Sequence, residues 1–344
     1  MVSKKYVDLR MIMPAILFVF VSLSLLAIPF MINKKRQDEA TPLLPSGYSN
    51  AIWEWANPKE ADTSIFPLLK EDHFGDIFLD ISTYVDLYEM PSGTKRDTEI
   101  KKFEEATRVY ITQAKAAGIS VHALVGAPKW GLSSHRYLNE ILVDFVRDYN
   151  EHHPEVAFAG LHFDLEVYKA PGFDQNQKAY LLEYLDTMAD IVDRINADFP
   201  ESSSANFKIG VAIPAWFDGN HEQIRKIVWR GEEKFVFNHL AKIINQYGNS
   251  YIVVMAYRDT PDGPSGSIAR AQDEIDFIAQ YIPRIKMFVG LETKDIEPQT
   301  ATFYGDDPAK LRKAALDIAK AFENKKPFSG IVIHDVEGYM ELKK

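Results

Sequence analysis

The chain of 344 residues contains no cysteine. It therefore has no disulfide, no thiolate metal site and no cysteine-linked lipid anchor, and its redox compartment cannot be inferred from cysteine pairing. A glycine-rich phosphate turn is missing after every apolar segment, as are the HExxH and His-x-His spacings of local zinc sites. These gaps argue against a nucleotide-binding sheet and a motif-bound metal, and no metal or cofactor is predicted.

Basic side chains are scarce in most of the chain. Residues 40–344 contain 33 Lys and Arg against 46 Asp and Glu, a net charge near −13. Such an acidic surface does not favour nucleic acid or anionic lipid as a partner. The hydrophobic share of 46% excludes a disordered chain.

One long apolar run, residues 11–32 (MIMPAILFVFVSLSLLAIPFMI), has no charged side chain. As a helix it spans about 33 Å, enough for a hydrocarbon core of about 30 Å. Residues 26–30 (LAIPF) offer bulky side chains where a signal peptidase needs small ones, which favours an uncleaved transmembrane anchor. The flanks carry three basic residues each, so charge does not set the orientation. Because the preceding tail is short, we expect residues 1–10 in the cytoplasm, a tether at 33–50, and residues 51–344 outside the plasma membrane.

Short apolar runs alternate with amphipathic segments throughout residues 51–344, a pattern typical of β/α repeats. The predicted strands are Ala51–Trp55, Asp76–Ser82, Ile119–Val125, Phe158–Glu166, Lys208–Pro214, Tyr251–Tyr257, Lys286–Glu292 and Gly330–His334. The predicted helices are Glu99–Ala117, His135–His152, Gln175–Phe199, Lys234–Tyr247, Ile268–Tyr281 and Pro308–Asn324. Strands separated by helices run parallel, and eight such units predict a (β/α)8 TIM barrel. A doubly wound open sheet is the alternative.

The fourth predicted strand carries the strongest chemical signal. Because side chains alternate along a strand, His162, Asp164 and Glu166 are expected to face the barrel axis. The two carboxylates are about 6.6 Å apart along the strand, so each disfavours the ionisation of the other and one is expected to hold a proton. Glycoside hydrolysis needs a carboxylic acid for the leaving oxygen and a second negative group for the oxocarbenium charge. The alternative is a structural carboxylate paired with Lys or Arg inside the barrel.

Residues 159–166 (AGLHFDLE) resemble the D-G-x-D-x-D-x-E strand of family 18 glycoside hydrolases, the chitinases and endo-N-acetylglucosaminidases. Two acidic positions of that motif are replaced, by Ala159 and His162, and the S-x-G-G segment of the family's third strand is absent. A second segment, 254–257 (VMAY), is similar to the family's M-x-Y. Phrases such as HALVGAPKW and IHDVEGY are similar to membrane-anchored or secreted bacterial barrel proteins without an assigned reaction.

The resemblance implies roles for three residues. Glu166 is expected to be the general acid, Asp164 to orient the N-acetyl group of the substrate, and Tyr257 to hydrogen-bond that group. The substrate is then a polysaccharide with N-acetylhexosamine units, such as a cell-wall or matrix glycan.

Aromatic and polar side chains at the predicted strand ends form a second group of candidates, because indole rings stack on sugar faces and polar groups bind hydroxyls. The predicted substrate-binding residues are Trp55, Trp130, Trp216, His162, Arg258, Glu292, His334 and Asp335. Two other functions remain open at this point. One is a non-catalytic barrel that binds glycan at the cell surface, and the other is a metal-dependent hydrolase using His122, His162 and His334 with the nearby carboxylates.

Overall fold

The computed structural model describes residues 42–200, 206–220 and 225–343. The expected cytoplasmic tail and membrane anchor, residues 1–32, lie outside these residues, as does the first half of the expected tether, residues 33–41. Among the residues that are described, none of the helices combines the length and the apolar character needed to cross a bilayer.

Eight parallel strands form a closed barrel, which confirms the predicted (β/α)8 architecture. Their bounds are β1 Asn50–Glu54, β2 Phe74–Asp80, β3 Ser120–Val125, β4 Gly160–Phe163, β5 Lys208–Pro214, β8 Ser250–Met255, β9 Lys286–Glu292 and β10 Phe328–His334. Each strand pairs with the next barrel strand along the chain, and β10 returns to pair with β1. Two further strands, β6 Ile227–Trp229 and β7 Glu232–Lys234, form a separate antiparallel hairpin.

Helices surround the barrel and cover its outward-facing side chains. The α-helices are Phe66–Glu71, Tyr84–Glu89, Thr94–Ala116, Arg136–His152, Phe173–Asp198, Val236–Ile244, Ser267–Tyr281, Pro308–Phe322 and Val336–Leu342. The helix expected from Lys234 begins at Val236, because residues 232–234 pair in the hairpin instead.

The fourth strand was predicted to span Phe158–Glu166, but β4 is shorter and spans only Gly160–Phe163. The amide of Asp164 still donates to the carbonyl of Val125, at 2.8 Å, but no ladder bond follows. The chain then turns through a 3-10 segment at Val167–Lys169. Asp164 and Glu166 therefore lie in the loop that follows the strand, at the carboxyl-terminal mouth of the barrel.

Large rings fill the lower half of the barrel interior, and glycine makes room for them. A Cβ atom at Gly210 would lie 2.0 Å from Cζ of Tyr251, and one at Gly160 would lie 2.7 Å from Nδ1 of His122. Both contacts are too short for any side chain, so these two positions admit only glycine without rearrangement. The rings cross the axis there, so the middle of the barrel is packed.

Candidate active site

Asp164 is a nearly buried carboxyl group at the mouth. The residue is only 6% exposed, and its Oδ1 atom is buried without a hydrogen-bond partner among the described residues. Burial and then the charge of Glu166 raise the pKa of Asp164 to about 7. Gly126, directly after β3, allows this approach, since a Cβ there would lie 2.9 Å from the Asp164 carbonyl oxygen. Near neutral pH this carboxyl therefore retains its proton in a large fraction of molecules.

Glu166 is the more exposed member of the pair, with 17% of its side chain accessible. The phenol of Tyr168 donates a hydrogen bond to its Oε1, and the ammonium of Lys169 lies 2.5 Å from its Oε2. Tyr168 packs edge-on against Trp216, with 5.2 Å between ring centroids. The loops after β4 and β5 thus hold this carboxylate in one orientation at the mouth.

Tyr257 lies among the carboxylates of the mouth. Burial raises the pKa of its phenol well above the usual range, and the charges of Glu292, Asp164 and Glu166 raise it further. The phenol is therefore a neutral hydrogen-bond donor at all ordinary pH values. Tyr257 after β8, Glu292 on β9, and Asp164 and Glu166 after β4 therefore lie together at one end of the barrel, as predicted.

His334 links β10 to its neighbours through both ring nitrogens. Nδ1 lies 3.0 Å from Oε1 of Glu292, and Nε2 accepts a hydrogen bond of 2.9 Å from the indole of Trp55. Because an indole N–H only donates, the proton of the neutral ring is on Nδ1. Burial disfavours the charged ring, but the hydrogen bond and charge of Glu292 outweigh it and raise the pKa of His334.

Three other residues predicted to bind substrate make contacts that give them a structural role. The Oδ1 atom of Asp335 accepts from the amide of Gly338 at 3.1 Å and caps the last helix. Arg258 donates to the carbonyl of Tyr257 at 2.7 Å. Trp130 is partly buried against the outer hydrophobic core rather than the barrel interior. Trp55, by contrast, packs on the interior cluster.

The expectation that His162 binds substrate is not supported by its position. The ring is fully buried one layer below Asp164 and stacks on Phe78, with 4.0 Å between centroids. Its Nε2 accepts from the indole of Trp53 at 3.1 Å, and its Nδ1 lies 3.1 Å from the phenol oxygen of Tyr251. Burial lowers the pKa of His162 well below the usual range, so the ring is a neutral packing residue.

The three histidines of the metal alternative do not meet. His122 lies near the start of β3 and bonds to Asp76, whereas His334 is at the mouth with Glu292. In the described part of the chain, no cluster of three or more His, Asp or Glu side chains is placed to hold a metal ion.

Sequence reasoning missed Tyr168 and Lys169, the two residues that hold Glu166. They lie two and three positions after it, and a strand expected to end at Glu166 gave no reason to consider them. The segment EVYK is the signal that could have identified them, because a phenol and an ammonium group directly follow the carboxylate.

Comparison with known proteins finds no matching family model and no matching curated protein. Solved structures do match. The chain shares the fold of the catalytic domain of a β-amylase from Paenibacillus polymyxa, with a TM-score of 0.53, 9% identity, and coverage of 86% of this chain and 94% of that one. Identity this low shows the barrel fold alone.

Two further matches have lower TM-scores. A GH18 chitinase from Pseudoalteromonas aurantia has a TM-score of 0.47 at 10% identity, covering 83% of this chain and 93% of that one. An endo-β-N-acetylglucosaminidase from Cordyceps militaris has a TM-score of 0.45 at 13% identity, covering 84% of this chain and 82% of that one.

Proposed function

We propose that this protein is a glycoside hydrolase whose catalytic pair is Asp164 and Glu166. The observation that carries the proposal is the contrast between these two neighbouring carboxyl groups. Asp164 is nearly shielded from solvent and has a pKa of about 7, whereas Glu166 is held at the mouth by Tyr168 and Lys169. A pair that holds one proton near neutral pH supplies both the acid and the negative charge that glycosidic bond cleavage needs.

In the proposed reaction the proton rests on Asp164 in the free protein and reaches the glycosidic oxygen through Glu166, the more exposed member. The glycosidic C–O bond breaks as the leaving sugar takes the proton and the bonding electron pair. The carboxylates left behind stabilise the oxocarbenium charge, and attack by water then completes hydrolysis and returns a proton to the pair. The neutral phenol of Tyr257 donates a hydrogen bond that positions the substrate.

The proposed substrate is a polysaccharide with N-acetylhexosamine units, which rests on the resemblance of residues 159–166 and 254–257 to family 18 enzymes. Trp55 hydrogen-bonds His334 and Trp216 packs against Tyr168, and their indole rings are the proposed surfaces for sugar rings. If residues 11–32 anchor the chain as proposed, the barrel acts outside the plasma membrane on a cell-wall or matrix glycan. Its net acidic character supports a partner other than nucleic acid.

Glu166→Gln in the full-length protein tests the proposal. The change keeps the shape and removes the ionisable group, so we expect kcat on N-acetylated oligosaccharides to fall roughly 10²-fold or more while glycan binding persists. Products are measured by mass spectrometry and binding by calorimetry. Glu151→Gln, on an exposed position of the helix Arg136–His152, is the matched control and should leave activity unchanged.

The same assays distinguish the two alternative functions, a glycan-binding barrel and a metal-dependent hydrolase. A parent protein that binds oligosaccharides and releases no product is a glycan-binding barrel. Activity that is lost to a chelator and restored by added metal indicates a metal-dependent hydrolase. Full activity in Glu166→Gln excludes this residue as the acid.

A further inference from the structure

A cavity of about 360 Å³ opens at the amino-terminal end of the barrel, opposite the candidate active site. Its polar lining includes four residues near the amino-terminal ends of strands: Asp76 on β2, His122 on β3, Lys208 on β5 and Lys286 on β9. Its apolar lining includes aromatic rings, notably Phe288. The volume falls in the range of small-molecule sites, whereas the corresponding end of a (β/α)8 barrel is ordinarily closed by packing.

A chain of hydrogen bonds separates this cavity from the mouth. Trp53 donates to Nε2 of His162, whose Nδ1 then donates to the phenol oxygen of Tyr251. The phenol lies 3.4 Å from Nδ1 of His122, and Nε2 of His122 lies 2.9 Å from Oδ1 of Asp76. Because an indole N–H only donates and a carboxylate only accepts, every proton in the chain has a fixed place. The floor of the cavity is therefore a chain of hydrogen-bonded side chains.

The cavity carries one unbalanced positive charge. The ammonium of Lys208 lies 3.1 Å from Oδ1 of Asp76, so these two charges offset each other. Burial lowers the pKa of His122, which keeps that ring neutral. Lys286 is exposed at the rim, and within the described residues its ammonium makes no ion pair or side-chain hydrogen bond. A structural role accounts for the Asp76–Lys208 pair, but it does not account for the open volume beside it.

We propose that this cavity is a second ligand site, which binds a small organic anion consisting of a carboxylate on a six-membered ring. Lys286 pairs with the carboxylate, and the ring packs against the aromatic wall that includes Phe288. Two kinds of molecule share this chemistry, aromatic acids and sugar acids. The proposal is independent of the glycosidase activity proposed above, because the site lies at the other end of the barrel.

Calorimetry on the full-length protein tests the proposal with benzoate as the aromatic acid and glucuronate as the sugar acid. Benzyl alcohol and glucose are the uncharged counterparts. We expect one of the two acids to bind and its counterpart to bind at least about tenfold more weakly, the loss expected for one charge-assisted contact. Lys286→Met should weaken the acid by a similar factor, whereas Lys95→Met, at an exposed position of the helix Thr94–Ala116, should not.

Two further variants locate the binding. Ala51→Leu places a larger side chain into the cavity from β1 and should abolish binding without altering surface charge. Glu166→Gln should leave it unchanged, because that residue is at the mouth. The proposal is overturned if neither acid binds, if the uncharged counterparts bind equally well, if Lys286→Met and Ala51→Leu both bind as the parent does, or if Glu166→Gln abolishes binding.

Discussion

Replacing Asp164 with Asn should stabilise the protein, and by an amount that depends on pH. The carboxyl has a pKa of about 7 in the folded protein against 3.8 when exposed, a difference of about 3 pH units. At 1.36 kcal/mol per unit, the folded state loses about 4 kcal/mol of stability relative to an uncharged residue once the pH exceeds 7. Because the side chain is nearly closed to solvent, no large allowance for screening applies.

The direction of the pH dependence follows from proton uptake on folding. A carboxyl whose pKa is raised on folding binds its proton more tightly in the folded state, so its favourable contribution is complete below pH 3.8 and is lost as the pH rises through about 7. Between pH 5 and pH 7 the parent should therefore lose about 2 kcal/mol of unfolding free energy relative to Asp164→Asn.

Urea unfolding of both proteins at several pH values measures this difference. Asp174→Asn, an exposed substitution at the start of the helix Phe173–Asp198, is the control and should follow the parent at every pH. A difference between Asp164→Asn and the parent that stays constant from pH 5 to pH 7 would refute the reasoning, because it would show that Asp164 takes up no proton on folding.

Two further predictions concern the barrel interior. Asp76→Asn should lower the unfolding free energy by about 2 kcal/mol at pH 7, because burial of Asp76 is outweighed by the hydrogen bond from His122 and the charge of Lys208, which lower its pKa to about 2. This loss should vanish as the pH falls through that value, and urea unfolding at neutral and acidic pH measures it. Gly160→Ala should lower the melting temperature, since its Cβ would lie 2.3 Å from the Lys208 carbonyl oxygen, whereas Gly75→Ala meets no atom within 4 Å and serves as the control in thermal unfolding.

The strands could be predicted because barrel strands are buried on both faces and form short apolar runs between turns. Lys208–Pro214 and Lys286–Glu292 have the predicted bounds. The fourth strand was predicted too long because its apolar pattern continues to Leu165, which is buried even though the hydrogen-bond ladder has ended. Side-chain burial and backbone pairing are different properties, and a sequence pattern reports only the first.

The inward direction of His162 follows from alternation along one strand, but its depth in the barrel does not. Depth is set by the stagger between neighbouring strands, which places the ring beside Trp53 and Tyr251, residues 109 and 89 positions away in the chain. The contacts of Glu166 were missed for a different reason. They arise in an irregular turn, where no repeating pattern predicts which side chains meet.

The end of β4 at Phe163 has an evolutionary consequence. Asp164 and Glu166 lie beyond the end of β4, and their side chains take no part in its backbone pairing. We therefore expect substitution of either residue to leave the barrel intact. At Asp164, we expect replacement by Asn to raise the free energy of unfolding. Random mutation in a lineage that no longer needs the chemistry would therefore remove this acid readily, because stabilising changes are not purged. In relatives that keep the proposed chemistry, we therefore expect an acid to persist at this position despite its cost to stability.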